Sequence, residues 1–190
     1  PARPSHAPER DAALERGTAA PVRILSADEE GRLAFAGVVN AAGCRLPDAL
    51  GVVDVGGGST ELTAGSLENG PSWVRSSDLG SQRLTQPAFG SDPPTRKEIR
   101  AARELVRRSL DGHDCPRVEA AFATGGSARA VARIVGREPG ADDFEEVVHI
   151  ASRRPAAKLA KTFRLHPHRA RTVLAGALLL AETSRAFGRP

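Results

Sequence analysis

The sequence predicts an α/β domain with a mixed sheet, and three observations support this fold class. Three short strand-like segments, residues 51–55, 61–64 and 72–76, follow one another with glycine-containing turns between them. A fourth apolar segment, residues 118–123, runs directly into Thr-Gly-Gly and then into a helical pattern that we assign to residues 127–135. Capping boxes mark further helices. Strands that first meander and then alternate with helices are typical of a mixed sheet flanked by helices.

The two capping boxes place helices before and after the meander. Ser26 and Glu29 form an S-x-x-E pattern, which predicts a helix over residues 27–39. Thr95 and Glu98 repeat the pattern, and the apolar residues that follow at helical spacing are Ile99, Ala102, Val106 and Leu110. Gly31 lies inside the first helix, where glycine is expected to lower helix stability.

The remaining elements are assigned from shorter signals. Residues 22–25 and 147–150 are predicted as strands, the second of them at a sheet edge. Ser152 is predicted to cap a helix with Pro155 in its first turn, and a last helix begins at Pro167 and ends at Gly188. Within it, the run VLAGALLLA predicts a buried helix segment, because nine apolar residues are about half of the roughly 20 that cross a bilayer.

Composition favours an anionic partner in a reducing compartment. The net charge is +4, carried mostly by arginine, while aromatic residues make up 4% and tyrosine is absent. Stacking platforms for single-stranded nucleic acid are therefore not expected. The two cysteines, Cys44 and Cys115, are far apart and predict no disulfide framework. We predict a cytoplasmic protein without a membrane segment. Because the sequence has no methionine, we also predict that the natural start of the protein lies upstream of Pro1.

The stretch VVDVGGGSTEL is the strongest functional motif. It lacks the lysine of a Walker loop and the third glycine and helix of a Rossmann fingerprint. What remains is a hairpin whose bare amides can form an anion nest, which we assign to Gly56, Gly57 and Gly58, with the hydroxyls of Ser59 and Thr60 as further donors. Phosphate oxygens suit such a nest.

Two carboxylates flank this nest. Asp54 precedes it and Glu61 follows it. Because phosphate repels carboxylates unless a cation or a proton lies between them, Asp54 and Glu61 are predicted to hold a hydrated Mg²⁺ or an attacking water. The alternative is an ordinary tight hairpin with a solvated Asp and Glu.

A second anion site is predicted at ATGGSARAVARI. Gly125, Gly126 and Ser127 open a helix whose free amides and dipole attract phosphate, and Arg129 and Arg133 share one face of that helix. The alternative is an ordinary helix start with solvated arginines. The histidines have no metal-ligand spacing, and His166 and His168 are expected to be exposed. Spacing alone does not choose between Glu29 and Glu30, since acidic residues are common in a first helical turn.

Taken in order, these motifs resemble the exopolyphosphatase and guanosine pentaphosphate phosphohydrolase (Ppx/GppA) family, of the superfamily that includes actin, sugar kinases and Hsp70. The resemblance covers roughly residues 22–188, and its most specific member is the D-x-G-G-G-S-T-E loop. The matching segments are LSADEEGRLAFAGV, VVDVGGGSTEL, SDLGSQRLTQPAF, FATGGSARAVARI and HPHRARTVLAGALLLAE.

The resemblance implies ribonuclease-H-like lobes with a phosphate-binding cleft and Mg²⁺ as cofactor. Glu30 corresponds by position to the family's general base, and Asp54 and Glu61 would hold metal and water. The phosphate chain would lie along Arg83, Arg129 and Arg133. The implied reaction releases terminal orthophosphate from polyphosphate or the 5′-phosphate of guanosine pentaphosphate.

The resemblance also divides the chain. Residues 1–48 are predicted to be the end of a first lobe with the glutamate helix, and residues 49–190 an incomplete second lobe. The family's Asp-x-Gly-Ser loop and its terminal strand are not in the sequence, so the fragment alone is expected to bind weakly, and the full-length protein is expected to form a homodimer. Two other functions stay open: a non-catalytic sensor of polyphosphate or an alarmone, and an ATP-dependent enzyme of the same superfamily. Glu61, directly after G-G-G-S-T, favours a phosphohydrolase over the ATP-dependent enzyme.

Overall fold

Four strands form one mixed sheet in the computed structural model, which describes residues 23–42 and 46–188. The strand order is β3-β2-β1-β4. β1 pairs antiparallel with β2 and parallel with β4, and β2 pairs antiparallel with β3. The strands are β1 (Leu50–Val55), β2 (Thr60–Ser66), β3 (Gly70–Ser77) and β4 (Ala120–Thr124). The predicted α/β class with a mixed sheet is confirmed.

Helices cover both faces of the sheet. Alternation along β1 directs Leu50 and Val52 toward the first helix, whereas Val53 and Val55 join the larger core on the opposite face. In the described part of the chain the helices are α1 (Ala27–Ala42), α2 (Ser81–Ala88), α3 (Arg96–Leu110), α4 (Gly125–Val135), α5 (Ala141–Ala151), α6 (Ala156–Phe163) and α7 (Pro167–Ala186).

Helix α7 is the centre of the larger core. It contacts α2, α3, α4, α5, α6 and β1, and the predicted buried segment within it is confirmed, because every residue from Thr172 to Ser184 is buried. Helices that are apolar on all sides belong inside a domain. In the described residues, no helix has the length and apolar character needed to span a bilayer.

Both capping boxes are confirmed by their hydrogen bonds. The Ser26 amide donates to Glu29 Oε2 at 2.8 Å, and the Glu29 amide donates to Ser26 Oγ at 3.2 Å. At the second box, the Thr95 amide donates to Glu98 Oε2 at 2.7 Å, and the Glu98 amide donates to Thr95 Oγ1 at 3.3 Å. These reciprocal bonds satisfy amides that the first helical turn leaves free, which fixes where α1 and α3 begin.

Several element predictions are wrong. The segment 147–150, predicted as an edge strand, lies within α5. The buried residues of α5 repeat at helical spacing, and a segment of four residues is too short to show this period; they include Phe144, Val147, Val148 and Ala151. Ser152 ends α5 instead of capping α6, and Pro155 precedes α6. Residues 23–25 are not a strand, and Val22 lies outside the described residues. Helix α2 was not predicted, because Gly80 and Pro87 interrupt its short pattern.

Gly31 has a packing role that helix propensity does not reveal. It is buried where α1 crosses β2 and β3, and a β-carbon at this position would lie 2.7 Å from Thr63 Oγ1 and 2.8 Å from Val74 Cγ1. Both neighbours are β-branched and have few alternative rotamers. The glycine therefore lets the helix that carries Glu30 lie close against the sheet.

We predict that Gly31→Ala lowers the free energy of unfolding by about 1 kcal/mol, because overpacking outweighs the gain in helix propensity. The matched control is Gly37→Ala in the same helix, where a β-carbon would meet nothing within 4 Å. That variant should gain about 0.5–1 kcal/mol. Denaturant unfolding followed by circular dichroism measures both, and equal stabilisation by the two alanines would contradict the close approach.

Candidate phosphate and metal site

Asp54 and Glu61 lie directly opposite each other in the sheet. They are register partners in the β1–β2 ladder, which places both side chains on the face covered by α1. Glu61 is buried and accepts a hydrogen bond from Ser76 Oγ at 2.9 Å. The hairpin that joins the two strands is the glycine loop. The structure therefore brings together the two carboxylates that the sequence places on either side of that loop.

Burial raises the pKa of both carboxyls, and neighbouring negative charges raise the pKa of Glu61 further. The pKa of Asp54 is raised by burial, which the Thr124 hydroxyl and the Arg129 charge only partly oppose. The pKa of Glu61 is raised by burial and further by the charges of Glu30 and Asp54, against the hydroxyls of Ser59 and Ser76. The charges of Glu30 and Asp54 therefore repel that of Glu61, and a bound cation would relieve this repulsion.

The donor set at this place fits Mg²⁺ with incomplete protein ligation. No group of three or more His, Cys, Asp or Glu side chains with metal-binding geometry occurs in the described residues. Mg²⁺ is commonly held by one or two carboxylates, with water and substrate phosphates as the other ligands. Asp54 and Glu61 can supply two oxygen donors, as predicted. Their role as metal ligands stays a prediction.

Helix α2 holds the glycine loop from behind. The amides of Ser81, Gln82 and Arg83 donate to loop carbonyls, Ser81 to Gly56 O at 2.9 Å and the other two to Gly57 O at 2.9 and 3.0 Å. Ser81 Oγ also donates to Gly56 O at 3.0 Å. The free amides at the start of this helix are thus used by the loop carbonyls and do not bind an anion themselves.

These bonds decide which way the loop amides point. In a trans peptide the N–H points away from the preceding C=O. Because Gly56 O and Gly57 O face α2, the amides of Gly57 and Gly58 face away from it. In the described part of the chain, neither these two amides nor that of Ser59 has a protein acceptor. The three amides are therefore free to bind an anion, with Ser59 in place of Gly56 in the predicted set, and their role as a phosphate nest stays a prediction.

Two predicted donors of the loop have other partners. The Gly56 amide closes the turn by donating to Ser59 O at 3.0 Å, and Thr60 Oγ1 is buried and donates to Leu79 O at 2.8 Å. Both groups are therefore removed from the set of phosphate donors. Arg83 lies beside the loop, since a β-carbon at Gly58 would be 3.7 Å from Arg83 Nη2, while its Nη1 donates to Asp78 O at 2.8 Å.

The second glycine loop lies against Asp54. Parallel pairing of β1 with β4 ends both strands at the same edge, with Thr124 opposite Asp54. Gly125 has φ +82°, and Asp54 Oδ1 occupies the space that a side chain there would need. Two constraints, the left-handed backbone and this contact, thus require glycine at position 125.

Arg169 is the residue that sequence reasoning missed. Its guanidinium packs against Gly126, in the space that a β-carbon would occupy, and the residue lies in the first turn of α7. The sequence signal for it is its place in the segment HPHRARTVLAGALLLAE, which carries part of the family resemblance. A fixed cation therefore stands beside the second loop. Ser127, by contrast, is buried and its hydroxyl donates to Val55 O at 3.0 Å, so only its amide is left to bind phosphate.

The two predicted arginines of α4 have different surroundings. Arg129 is exposed and close enough to act on the charge of Asp54. Arg133 lies one turn further from the loop, and its Nη1 donates to Arg164 O at 3.0 Å. The structure therefore places Arg129 at the site and Arg133 at its periphery. His166 and His168 are exposed, as predicted.

The structure distinguishes Glu30 from its acidic neighbours. Asp28 pairs with Arg32 at 2.6 Å. Glu29 is bound by Ser26 and Arg23, and the Ser26 amide is the main cause that lowers its pKa to about 2. Glu30 has no such partner in the described residues, and its charge acts on Glu61. Glu30 is thus the acid of this turn that faces the carboxylate pair.

The fold defines a class of protein, the α/β proteins of the actin-like ATPase superfamily. Within this class the chain belongs to the Ppx/GppA phosphatase family, whose model matches residues 10–189. The family predicted from the motifs is confirmed.

Similar proteins agree in sequence and in fold. Exopolyphosphatase 2 of Mycobacterium tuberculosis is 35% identical over 181 residues, which cover 85% of this chain and 55% of that protein. Exopolyphosphatase 1 of Mycobacterium leprae is 28% identical, with coverage of 92% and 56%. The Aquifex aeolicus PPX-GPPA enzyme superposes with a TM-score of 0.82 at 25% identity, over 97% of this chain and 65% of that structure. The chain spans about half the length of these curated relatives.

We predict that Glu61→Gln stabilises the metal-free protein at pH 7. A raised folded-state pKa means that the fold favours the protonated acid. The stability that this preference adds is present below the ordinary pKa of 4.5 and is lost as pH rises through the folded-state pKa of Glu61. Glutamine keeps the acceptor for Ser76 and cannot ionise. Its advantage should therefore shrink toward pH 4.

Thermal unfolding in the presence of a chelator, from pH 4 to pH 8, measures this difference. Glu68→Gln, in the exposed turn between β2 and β3, is the matched control and should change little. A Glu61→Gln variant that is less stable than the wild type at pH 7 and pH 8 would contradict the repulsion between the carboxylates.

Proposed function

We propose that the full-length protein hydrolyses the terminal phosphoanhydride of inorganic polyphosphate and releases orthophosphate. The observation that carries this proposal is the juxtaposition of the Asp54–Glu61 pair with the amides of Gly57 and Gly58, which face away from α2, and with the free amide of Ser59. A phosphoryl group on these amides would lie beside carboxylates that can hold a metal and a water. Phosphoryl transfer needs mainly such positioning and charge neutralisation.

Glu30 is the proposed general base. It stands on α1 above the sheet face that carries Asp54 and Glu61, and its charge reaches Glu61. The base would take a proton from the attacking water as the oxygen approaches phosphorus. The close packing at Gly31 holds the helix and therefore the position of this carboxylate.

Mg²⁺ is the proposed cofactor, held by Asp54 and Glu61. When bound there, it would neutralise phosphate charge and orient the water. The chain's own cations would act on the rest of the phosphate: Arg83 beside the first loop, and Arg129 and Arg169 beside the second. Their positive charge supports the binding of several phosphates in succession instead of a single one.

The names of the relatives support polyphosphate as substrate, because both mycobacterial proteins are exopolyphosphatases. Guanosine pentaphosphate presents the same terminal phosphoanhydride, and its cleavage is the second candidate, supported only by membership of the Ppx/GppA family. A homodimer and a cytoplasmic location stay predictions. A sensor that binds without turnover is an alternative that the following experiment separates.

We predict that Glu30→Gln lowers orthophosphate release by about 100-fold or more, because a general base typically contributes at least that factor. The assay uses full-length protein, polyphosphate and Mg²⁺. Affinity for polyphosphate should stay near that of the wild type, since glutamine preserves shape and removes only the basic carboxylate.

The matched control is the neighbouring Glu29→Gln, which weakens the helix cap, at a cost of about 1 kcal/mol in stability, and should retain turnover. Full activity of Glu30→Gln would overturn the assignment of the base. Tight binding without any turnover in the wild type would favour the sensor.

A further inference from the structure

We propose that a pocket between α2, α6 and α7 is a second ligand site. It takes a small organic anion with an apolar body, and its occupancy acts on both glycine loops. The pocket has a volume of about 320 Å³, which is at the lower end of the roughly 300–1,000 Å³ usual for small-molecule sites. Neither carboxylate of the Asp54–Glu61 pair lines it. The regulatory part of this inference rests on the proposed function, whereas the binding part does not.

The floor of the pocket is apolar. Phe89 follows the end of α2, Leu159 belongs to α6 and Leu174 to α7, and all three line the pocket. Leu159 and Leu174 also belong to the larger core, so the floor is fixed by packing. A ligand that covers this floor removes apolar surface from water, which favours an organic body over a bare inorganic ion.

The rim of the pocket is positively charged. It carries Arg154 and Arg171, and neither takes part in an ion pair within the described residues. The acid that lines the pocket is Asp92, whose carboxylate oxygens accept the Ala156 amide at 2.8 and 3.1 Å. From Val147 to Ala181 the sequence contains seven Arg or Lys residues and no Asp or Glu. The two guanidinium groups therefore favour a ligand with a carboxylate or a similar anion.

The pocket is formed in advance of any ligand. Its outer wall, residues 91–94, is held at one end by the Gly90 amide, which donates to Glu98 Oε1 at 2.6 Å. The bond between Asp92 and the Ala156 amide joins the wall to α6. That bond also occupies the first amide of α6, so the preference for an anion comes from the arginines and not from the helix start. A pre-formed pocket loses little entropy on binding.

Two helices connect the pocket with the glycine loops. In α2, Thr85 lines the pocket, and its Oγ1 donates to the carbonyl of Ser81, whose amide holds Gly56 O. In α7, Arg169 packs on Gly126, and the two residues that follow it line the pocket. Since α2 and α7 are in contact and are packed as rigid elements, a ligand that changes their spacing shifts both loops.

The first test fills the pocket. The probe is naphthoate, an aromatic carboxylate, and its binding to the full-length protein is followed by ¹⁵N NMR. The variant is Ala156→Leu, which places a larger side chain in the pocket from the first turn of α6. The matched control is Ala157→Leu, because this neighbour is exposed and does not line the pocket.

We expect naphthoate to bind the wild type with a Kd of about 1 mM, at the affinity per non-hydrogen atom that is usual for ligands of moderate size. Ala156→Leu should weaken binding by about tenfold or more, because the added methyl groups occupy the space of the ligand. Ala157→Leu should bind as the wild type does. A probe that does not saturate the wild type, or one that binds Ala156→Leu equally well, would overturn the site.

The second test removes the charge. The variant is Arg154→Gln with Arg171→Gln, and the matched control is Lys97→Gln with Arg100→Gln, two exposed cations of α3 outside the pocket. The first pair should weaken naphthoate by about fivefold, as expected for partly exposed ion pairs, and should not affect the neutral analogue naphthylmethanol. Equal affinity of the wild type for the two probes, or equal losses in both variants, would overturn the preference for an anion.

The regulatory part is tested in the same titration through the amide signals of Gly57, Gly58 and Gly126. We expect these signals to shift as naphthoate fills the pocket. Tripolyphosphate with Mg²⁺ should change the Kd of naphthoate by about fivefold or more, since coupling between two sites is reciprocal. Loop signals and a Kd that both stay constant would overturn the regulation.

The outcome is separable from that of the proposed function. A wild type that binds naphthoate in the pocket but releases no orthophosphate would refute the hydrolysis and retain the ligand site. A wild type that releases orthophosphate and does not bind the probe would do the reverse.

Discussion

The hydrogen bonds from the first turn of α2 to the carbonyls of Gly56 and Gly57 are the constraint on which the site depends. They hold one side of the loop, and the planarity of the peptide then directs the amides to the other side. Gly80 makes this possible, since a β-carbon there would lie 2.5–2.6 Å from the backbone of Gly57 and Gly58. These contacts thereby fix a glycine turn with its amides directed away from α2, as the proposed anion nest requires.

The sheet supplies the second part of the site through its register. Antiparallel pairing places Glu61 opposite Asp54, and parallel pairing places Thr124 at the other side of Asp54, so that both glycine loops meet at one carboxylate. Burial at this place raises the pKa of both acids, and the charge of Asp54 raises that of Glu61 further. The site is thus arranged so that burial makes two anions costly, and a cation would offset that cost.

Local signals made much of this predictable from the sequence. The glycines between flanking carboxylates predicted the hairpin that pairs Asp54 with Glu61, and the strand-turn-helix pattern predicted the second loop, whereas phosphate and metal binding stay predictions. What the sequence could not give depends on tertiary contacts. These contacts join residues that are distant along the chain: the hydrogen bond from Thr60 Oγ1 to Leu79 O, the contact of Arg169 with Gly126, and the close approach of α1 to the sheet at Gly31. The strand prediction for residues 147–150 was wrong because a short run of β-branched residues fits a buried helix equally well.

The dependence of the loop on α2 is tested most directly by ¹⁵N NMR, which follows the amide signals of Gly57, Gly58 and Ser59 while inorganic phosphate or tripolyphosphate is added with Mg²⁺. We expect these three amide signals to shift on binding in the wild type. Gly80→Ala, which displaces the loop from α2, should abolish the shifts, and Gly37→Ala should preserve them. Unchanged binding shifts at these amides in Gly80→Ala would show that the orientation of the amides does not depend on α2.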